Sequence, residues 1–81
     1  MSSQRPFEPF DRTTVSERVR DDIYNRIVSG ELQPGTQLAA ERSLAEQFGV
    51  ARTSVREASQ ALVALVVIER RGNRVVVRNV D

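Results

Sequence analysis

Apolar positions keep a helical period through three successive segments of the chain and change to β-branched runs after the third. Val15, Val19, Ile23 and Ile27 recur every four residues, the spacing of one buried face of an α-helix. Thr14 and Glu17 stand at capping-box distance, so this helix is predicted to begin after Thr14. Ser29-Gly30 ends it, Gln33-Pro34-Gly35 predicts a turn, and Gln37-Leu38 a stub of strand. Glu41 to Phe48 reads as a short second helix with Leu44, Ala45 and Phe48 on one face and Gly49 at its left-handed end. A third helix is predicted from about Thr53 to Leu65, burying Val55, Ala58, Leu62 and either Leu65 or Val66. Beyond it, β-branched runs at Val67 to Arg71 and Arg74 to Arg78 flank Gly72-Asn73, which predicts a tight hairpin.

Ala45, Gly49 and Val55 fall in the order a helix-turn-helix needs: a small residue where two helices cross, a glycine for the turn, and an apolar anchor in the second helix. Any helical hairpin could share that spacing. With the hairpin that follows, the predicted fold is α+β, a winged helix-turn-helix of three helices and a C-terminal two-stranded wing. The expected organisation is a mobile arm over residues 1–13, this domain over 14–78, and the start of a linker at 79–81.

At 81 residues there is room for one small domain with an aliphatic core, since the chain has no Trp and few aromatics. Without Cys or His it lacks disulfides, thiolates, the commonest metal ligand and the usual general base. Neither catalysis, a metal site nor a cofactor is therefore expected. No apolar stretch approaches the ~20 residues of a membrane span, and the first ten residues lack a signal-peptide core, so a cytoplasmic protein is expected.

The net charge of +1 conceals an uneven distribution. All 12 basic residues are Arg, which a GC-rich genome would also produce. From Arg42 onward seven arginines face four acids, whereas five face seven before it. At 100° per residue the third helix carries Arg52, Thr53, Arg56 and Gln60 opposite or flanking its buried stripe. Arg52 and Arg56 are i, i+4 neighbours that repel, with only Glu57 nearby and pointing further round. An anionic partner would relieve that repulsion. Arginine can donate two hydrogen bonds to guanine in the major groove, and Thr and Gln can reach other base edges or phosphates. Arg70, Arg71 and Arg74 crowd the hairpin tip, where a wing can meet the minor groove. A solvated helix face and a charged tip kept for solubility remain the plain alternatives.

Ile27 to Val77 resembles the DNA-binding domain of the GntR family of bacterial regulators, most closely its FadR-type branch. The match is carried by I-x-x-G-E-L-x-P-G-x-x-L (Ile27 to Leu38), A-E-R-x-L-A (Ala40 to Ala45), F-G-V (Phe48 to Val50), R-T-S-V-R-E-A (Arg52 to Ala58) and I-E-R-R-G (Ile68 to Gly72). The resemblance implies operator contacts from Arg42, Arg52 and Arg56, and a minor-groove approach by Arg71 and Gly72. It also implies transcriptional regulation, such as repression, by a homodimer whose C-terminal metabolite-sensing domain is missing here. The isolated domain is expected to be a monomer, its apolar residues being used internally. Other readings are a winged-helix protein-interaction module, which would need apolar anchors on the third helix, and an enzyme, for which no catalytic constellation is present.

Three positions depart from the family pattern. Ala51 stands where Ser or Thr usually caps the recognition helix, so the cap is expected to be lost or moved to Thr53. Ser59 replaces a Leu, and its hydroxyl is expected to bond back to the Val55 carbonyl. Val66 replaces a Gly; because β-branched residues resist positive φ, a different linkage between helix and wing is expected.

Overall fold

In the computed structural model residues 12–78 are described, with backbone alone for 12–14. Helices α1 (Arg12–Val28), α2 (Glu41–Phe48) and α3 (Arg52–Ala64) precede strands β1 (Ile68–Arg71) and β2 (Arg74–Val77). The arm and linker expected at the two ends otherwise lie outside the described residues. Helix α1 starts two residues before Thr14, so Thr14 lies inside the helix and does not cap it. The Thr-x-x-Glu spacing also places neighbours on one face within a first turn, which is why it does not fix the terminus.

Helix α3 is central and packs against α1, α2 and β1. Its Val55, Ala58 and Leu62 are buried; the last two join Val19 and Ile23 of α1, Leu38, and Ile68 and Val77 of the wing in one core. Phe48 and Val50 cover the edge of that core. The wing is anchored at its base as well as by its own pairing. Leu38 N donates to Val75 O at 2.8 Å and Val77 N to Thr36 O at 2.9 Å, while Gln37 bridges Val76. The expected strand stub therefore exists, paired with β2 on the side away from β1.

Helices α2 and α3 stop by the same device. After α2, Gly49 takes φ 70° while Val50 N bonds Ala45 O at 3.0 Å and Gly49 N bonds Glu46 O at 3.3 Å, a Schellman ending. After α3, Val66 N bonds Val63 O at 2.9 Å and Val67 N bonds Leu62 O at 3.2 Å, with Val66 at φ 63°. The expected change of linkage is thus overturned: valine occupies the left-handed position that suits glycine. Two backbone hydrogen bonds and the buried Ile68 just beyond hold it there.

The same ending overturns the expectation that Leu65 or Val66 is buried. The chain leaves the helix at Ala64, so Leu65 is 54% exposed and Val66 50%. Replacing Val66 by Gly should remove the ~1–2 kcal/mol cost of a left-handed L-residue and lose ~0.5–1 kcal/mol through the freer unfolded chain. A net stabilisation of about 0.5 to 1 kcal/mol is expected in urea unfolding. A destabilised Val66→Gly would show that the valine's remaining contacts outweigh its strain.

Candidate nucleic-acid interface

Helix α3 begins at Arg52 with Ala51 as its N-cap residue, and no side chain caps it. The cap is lost and Thr53 does not take it over. Arg52, Thr53, Arg56 and Gln60 are all exposed, as their helical phase requires. Arg42 is exposed on the first turn of α2.

Arg56 is not as free as the sequence implied. Its guanidinium stands 3.4 Å from the carboxylate of Glu41, the first residue of α2. The partner comes from 15 residues upstream, where neither helical phase nor local charge pattern reveals it. An exposed pair of this kind is worth ~0–1 kcal/mol, enough to orient Arg56 and little enough to release it to a stronger anion. Among the described residues Arg42, Arg52, Arg70 and Arg74 make no ion pair.

The wing sorts its arginines by strand parity. Gly72 and Asn73 form a two-residue loop with Gly72 at φ 63°, so Arg71 lies directly opposite Arg74, as the tight hairpin implied. Arg71 donates to the carboxylate of Glu69 two residues earlier, and Arg78 lies 3.7 Å from the same group. The like-charge pair at the tip is therefore half neutralised. Arg70 has the parity of the buried Ile68, with Val75 as its cross-strand partner, and so belongs to the inner face. There it lines an open groove of about 460 Å³ with Arg42, Arg52, Ser59 and Val75. Arg71 lies along a second groove, with Glu69 and Arg78. Strand alternation counted from Ile68 would have separated Arg70 from its neighbour; grouping the tip arginines by proximity did not.

Ser59 also departs from expectation. It is 5% exposed, and among the described residues its hydroxyl makes no hydrogen bond to Val55 or to any other group. Away from this face, Asp22 and Glu31 bind Arg26 at 2.6 and 2.9 Å and tie the end of α1 to the following loop. The hydrogen bond and charge of Asp22, with Glu31, raise the Arg26 pKa above its ordinary value. No group of residues suited to a metal ion occurs among the described residues, and no described helix is long and apolar enough to cross a membrane.

Three helices with an exposed arginine-bearing third helix, followed by an anchored two-stranded hairpin, define a winged helix-turn-helix DNA-binding domain. Residues 15–77 match the family described as bacterial regulatory proteins, gntR family. The chain belongs to the GntR family and is the DNA-binding domain of a transcriptional regulator of that family.

An uncharacterised HTH-type transcriptional regulator of Mycobacterium tuberculosis is 41% identical over 80 residues, covering 98% of this chain and 33% of the relative. The structure of YtrA from Sulfolobus acidocaldarius, a GntR-family transcription factor, superposes with a TM-score of 0.81 at 30% identity, covering 94% of this chain and 81% of that one. The DNA-binding domain of AraR in complex with operator ORX1 superposes with a TM-score of 0.73 at 25% identity, covering 94% and 92% of the two chains. The chain spans between about a fifth and a third of the length of the curated relatives it matches.

Proposed function

We propose that this domain binds duplex DNA sequence-specifically, as the operator-binding part of a cytoplasmic bacterial regulator of the FadR-type branch. The observation that carries the reading is the outer face of α3, where Arg52, Thr53, Arg56 and Gln60 stand exposed together. Laid in the major groove, that face offers bidentate donors to guanine and smaller polar groups to other edges or phosphates. Arg42 extends the contact from α2, and Arg71, Gly72 and Arg74 carry the wing toward the minor groove. The operator complex of the AraR domain, which shares the fold, supports the same use of it.

The whole protein is proposed to act as a homodimer on a short palindrome, with repression as its simplest output. The domain alone is proposed to be a monomer, though not for the reason the sequence offered. Apolar side chains do remain outside: Tyr24, Val28, Val63, Leu65 and Val66 are partly exposed. Five such side chains are few beside the ~20–30 residues a side of a stable interface. They are also the one observation that favours a protein-docking role. Leu65 and Val66 lie beyond the end of α3, whereas Val63 has nearly the helical phase of Arg52 and Arg56 and stands about 10 Å further along the same face, where it would border the duplex contact.

The test is selection of duplexes from a random pool on the purified domain, read by sequencing. A short motif should emerge, with affinity falling steeply as salt rises and counterions compete for the arginines. A pool that stays random after repeated rounds at ~100 mM salt would overturn sequence-specific binding.

A further inference from the structure

We propose that the groove between α2, α3 and the wing is a seat for one backbone phosphate of the bound duplex, formed by Arg42, Arg52, Arg70 and the Ser59 hydroxyl. The inference rests on the duplex-binding reading and adds to it a wing contact, Arg70, that the motif does not assign.

Three elements deliver one arginine each to this groove: Arg42 from α2, Arg52 from α3 and Arg70 from β1. None of the three has an ion pair among the described residues. The acid that also lines the groove, Glu41, holds Arg56. Three uncompensated guanidinium groups around one concavity repel each other and concentrate a positive potential there. A backbone phosphodiester, with one negative charge shared by its two non-bridging oxygens, relieves that repulsion through charge-assisted hydrogen bonds, for which guanidinium geometry is suited.

Ser59 points to the same ligand independently. A hydroxyl this buried normally has a hydrogen-bond partner, and leaving one unmatched is unfavourable. Ser59 has none among the described residues, yet it lines the groove with the arginines. An oxygen acceptor seated in the groove would accept a hydrogen bond from it. Arg71 cannot substitute for Arg70 here, because it has the opposite strand parity and is engaged by Glu69.

The position also suits the duplex. Arg52 is shared between the outer face of α3 and the groove, so a phosphate seated here lies at the edge of the major groove that α3 enters. The wing would be clamped to the helix by the DNA backbone itself.

The experiment titrates a fluorescent 20-base-pair duplex of the selected sequence with wild-type domain and the variants Arg70→Gln, Ser59→Ala, Arg78→Gln and Arg52→Ala, at several salt concentrations. Arg70→Gln should lose about tenfold in affinity, the size of one charge-assisted contact, and its salt slope should fall by about 0.9. Ser59→Ala should lose affinity about threefold to tenfold with an unchanged slope, because no charge is removed. Arg78→Gln removes the same charge from the wing's other groove and should change little. Circular dichroism confirms folding of each variant. An Arg70→Gln variant that matches Arg78→Gln in affinity and slope overturns the proposal. If Arg52→Ala binds like wild type the seat again fails, because Arg52 is one of its members; if the wild-type domain itself binds the selected duplex no better than a random one, it is the duplex-binding reading that fails. A separate titration with inorganic phosphate, saturating below about 1 mM in the absence of duplex, would make the groove a free-anion site and overturn its assignment to the DNA backbone.

Discussion

Arg52→Ala should lose ~1 to 3 kcal/mol of the discrimination between the selected operator duplex and a random duplex, about 5- to 150-fold. The domain should remain folded, because Arg52 is exposed and its removal neither opens the core nor unpairs an acid. Arg56→Ala should lose discrimination in the same range but toward its lower end. In the free domain Glu41 already holds Arg56, so part of what DNA offers replaces an existing pair. The measurement is competition between the two duplexes at one fixed salt concentration. Equal ratios for wild type and both variants would show that these arginines touch phosphates alone and that sequence is read elsewhere or through DNA shape.

The elements of the fold were legible because each has one dominant period. Val15, Val19, Ile23 and Ile27 fixed α1, Leu44, Ala45 and Phe48 fixed α2, and the β-branched runs around Gly72-Asn73 fixed the wing and its register. Legibility failed where tertiary structure decides. The spacing of Thr14 and Glu17 has two structural meanings, and the helix took the longer one. Val66 by itself disfavours positive φ, but the backbone hydrogen bonds from Val66 and Val67 and the burial of Ile68 override that preference. Once the chain turns there, Leu65 and Val66 must face outward, so both departures have one cause.

The candidate interface divides along the same line. Which residues face outward from α3 follows from helical phase, and Arg52, Thr53, Arg56 and Gln60 were legible on that basis. What those residues meet is a long-range matter. Glu41 reaches Arg56 across the helix-turn-helix, and Arg70 reaches the groove beside Arg52 only because Val77 and Leu38 anchor the wing against the core. No local pattern encodes that distance. The unmatched hydroxyl of Ser59 was hidden for the opposite reason: a serine inside a helix ordinarily bonds its own backbone, and here it does not.

Leu62→Ala should give the largest loss of stability of any single truncation in α3. Leu62 is fully buried, and its cluster draws on α1 through Val19 and Ile23, on the wing through Ile68 and Val77, and on Leu38. Leu→Ala changes in such sites cost ~2–5 kcal/mol, the upper part of the range applying where the surroundings cannot collapse. They are poorly able to collapse here, since the wing is fixed by backbone hydrogen bonds on both sides of β2. A value of about 3 to 4 kcal/mol is therefore expected. For 81 residues total stability is roughly 4–12 kcal/mol, so this one change removes a quarter or more of it. At ~4–8 °C per kcal/mol the melting temperature should fall by at least about 12 °C. Leu62→Met, which keeps the volume, should cost under ~1.5 kcal/mol. Binding gives the decisive contrast with Arg52→Ala. The arginine face lies across α3 from Leu62, so at low temperature the folded fraction of Leu62→Ala should discriminate duplexes as wild type does, whereas Arg52→Ala should discriminate less well at every temperature. A melting temperature within a few degrees of wild type would contradict the core assignment. Discrimination lost at temperatures where Leu62→Ala is fully folded would show that packing beneath α3, and not only its outer side chains, sets how the helix enters the groove.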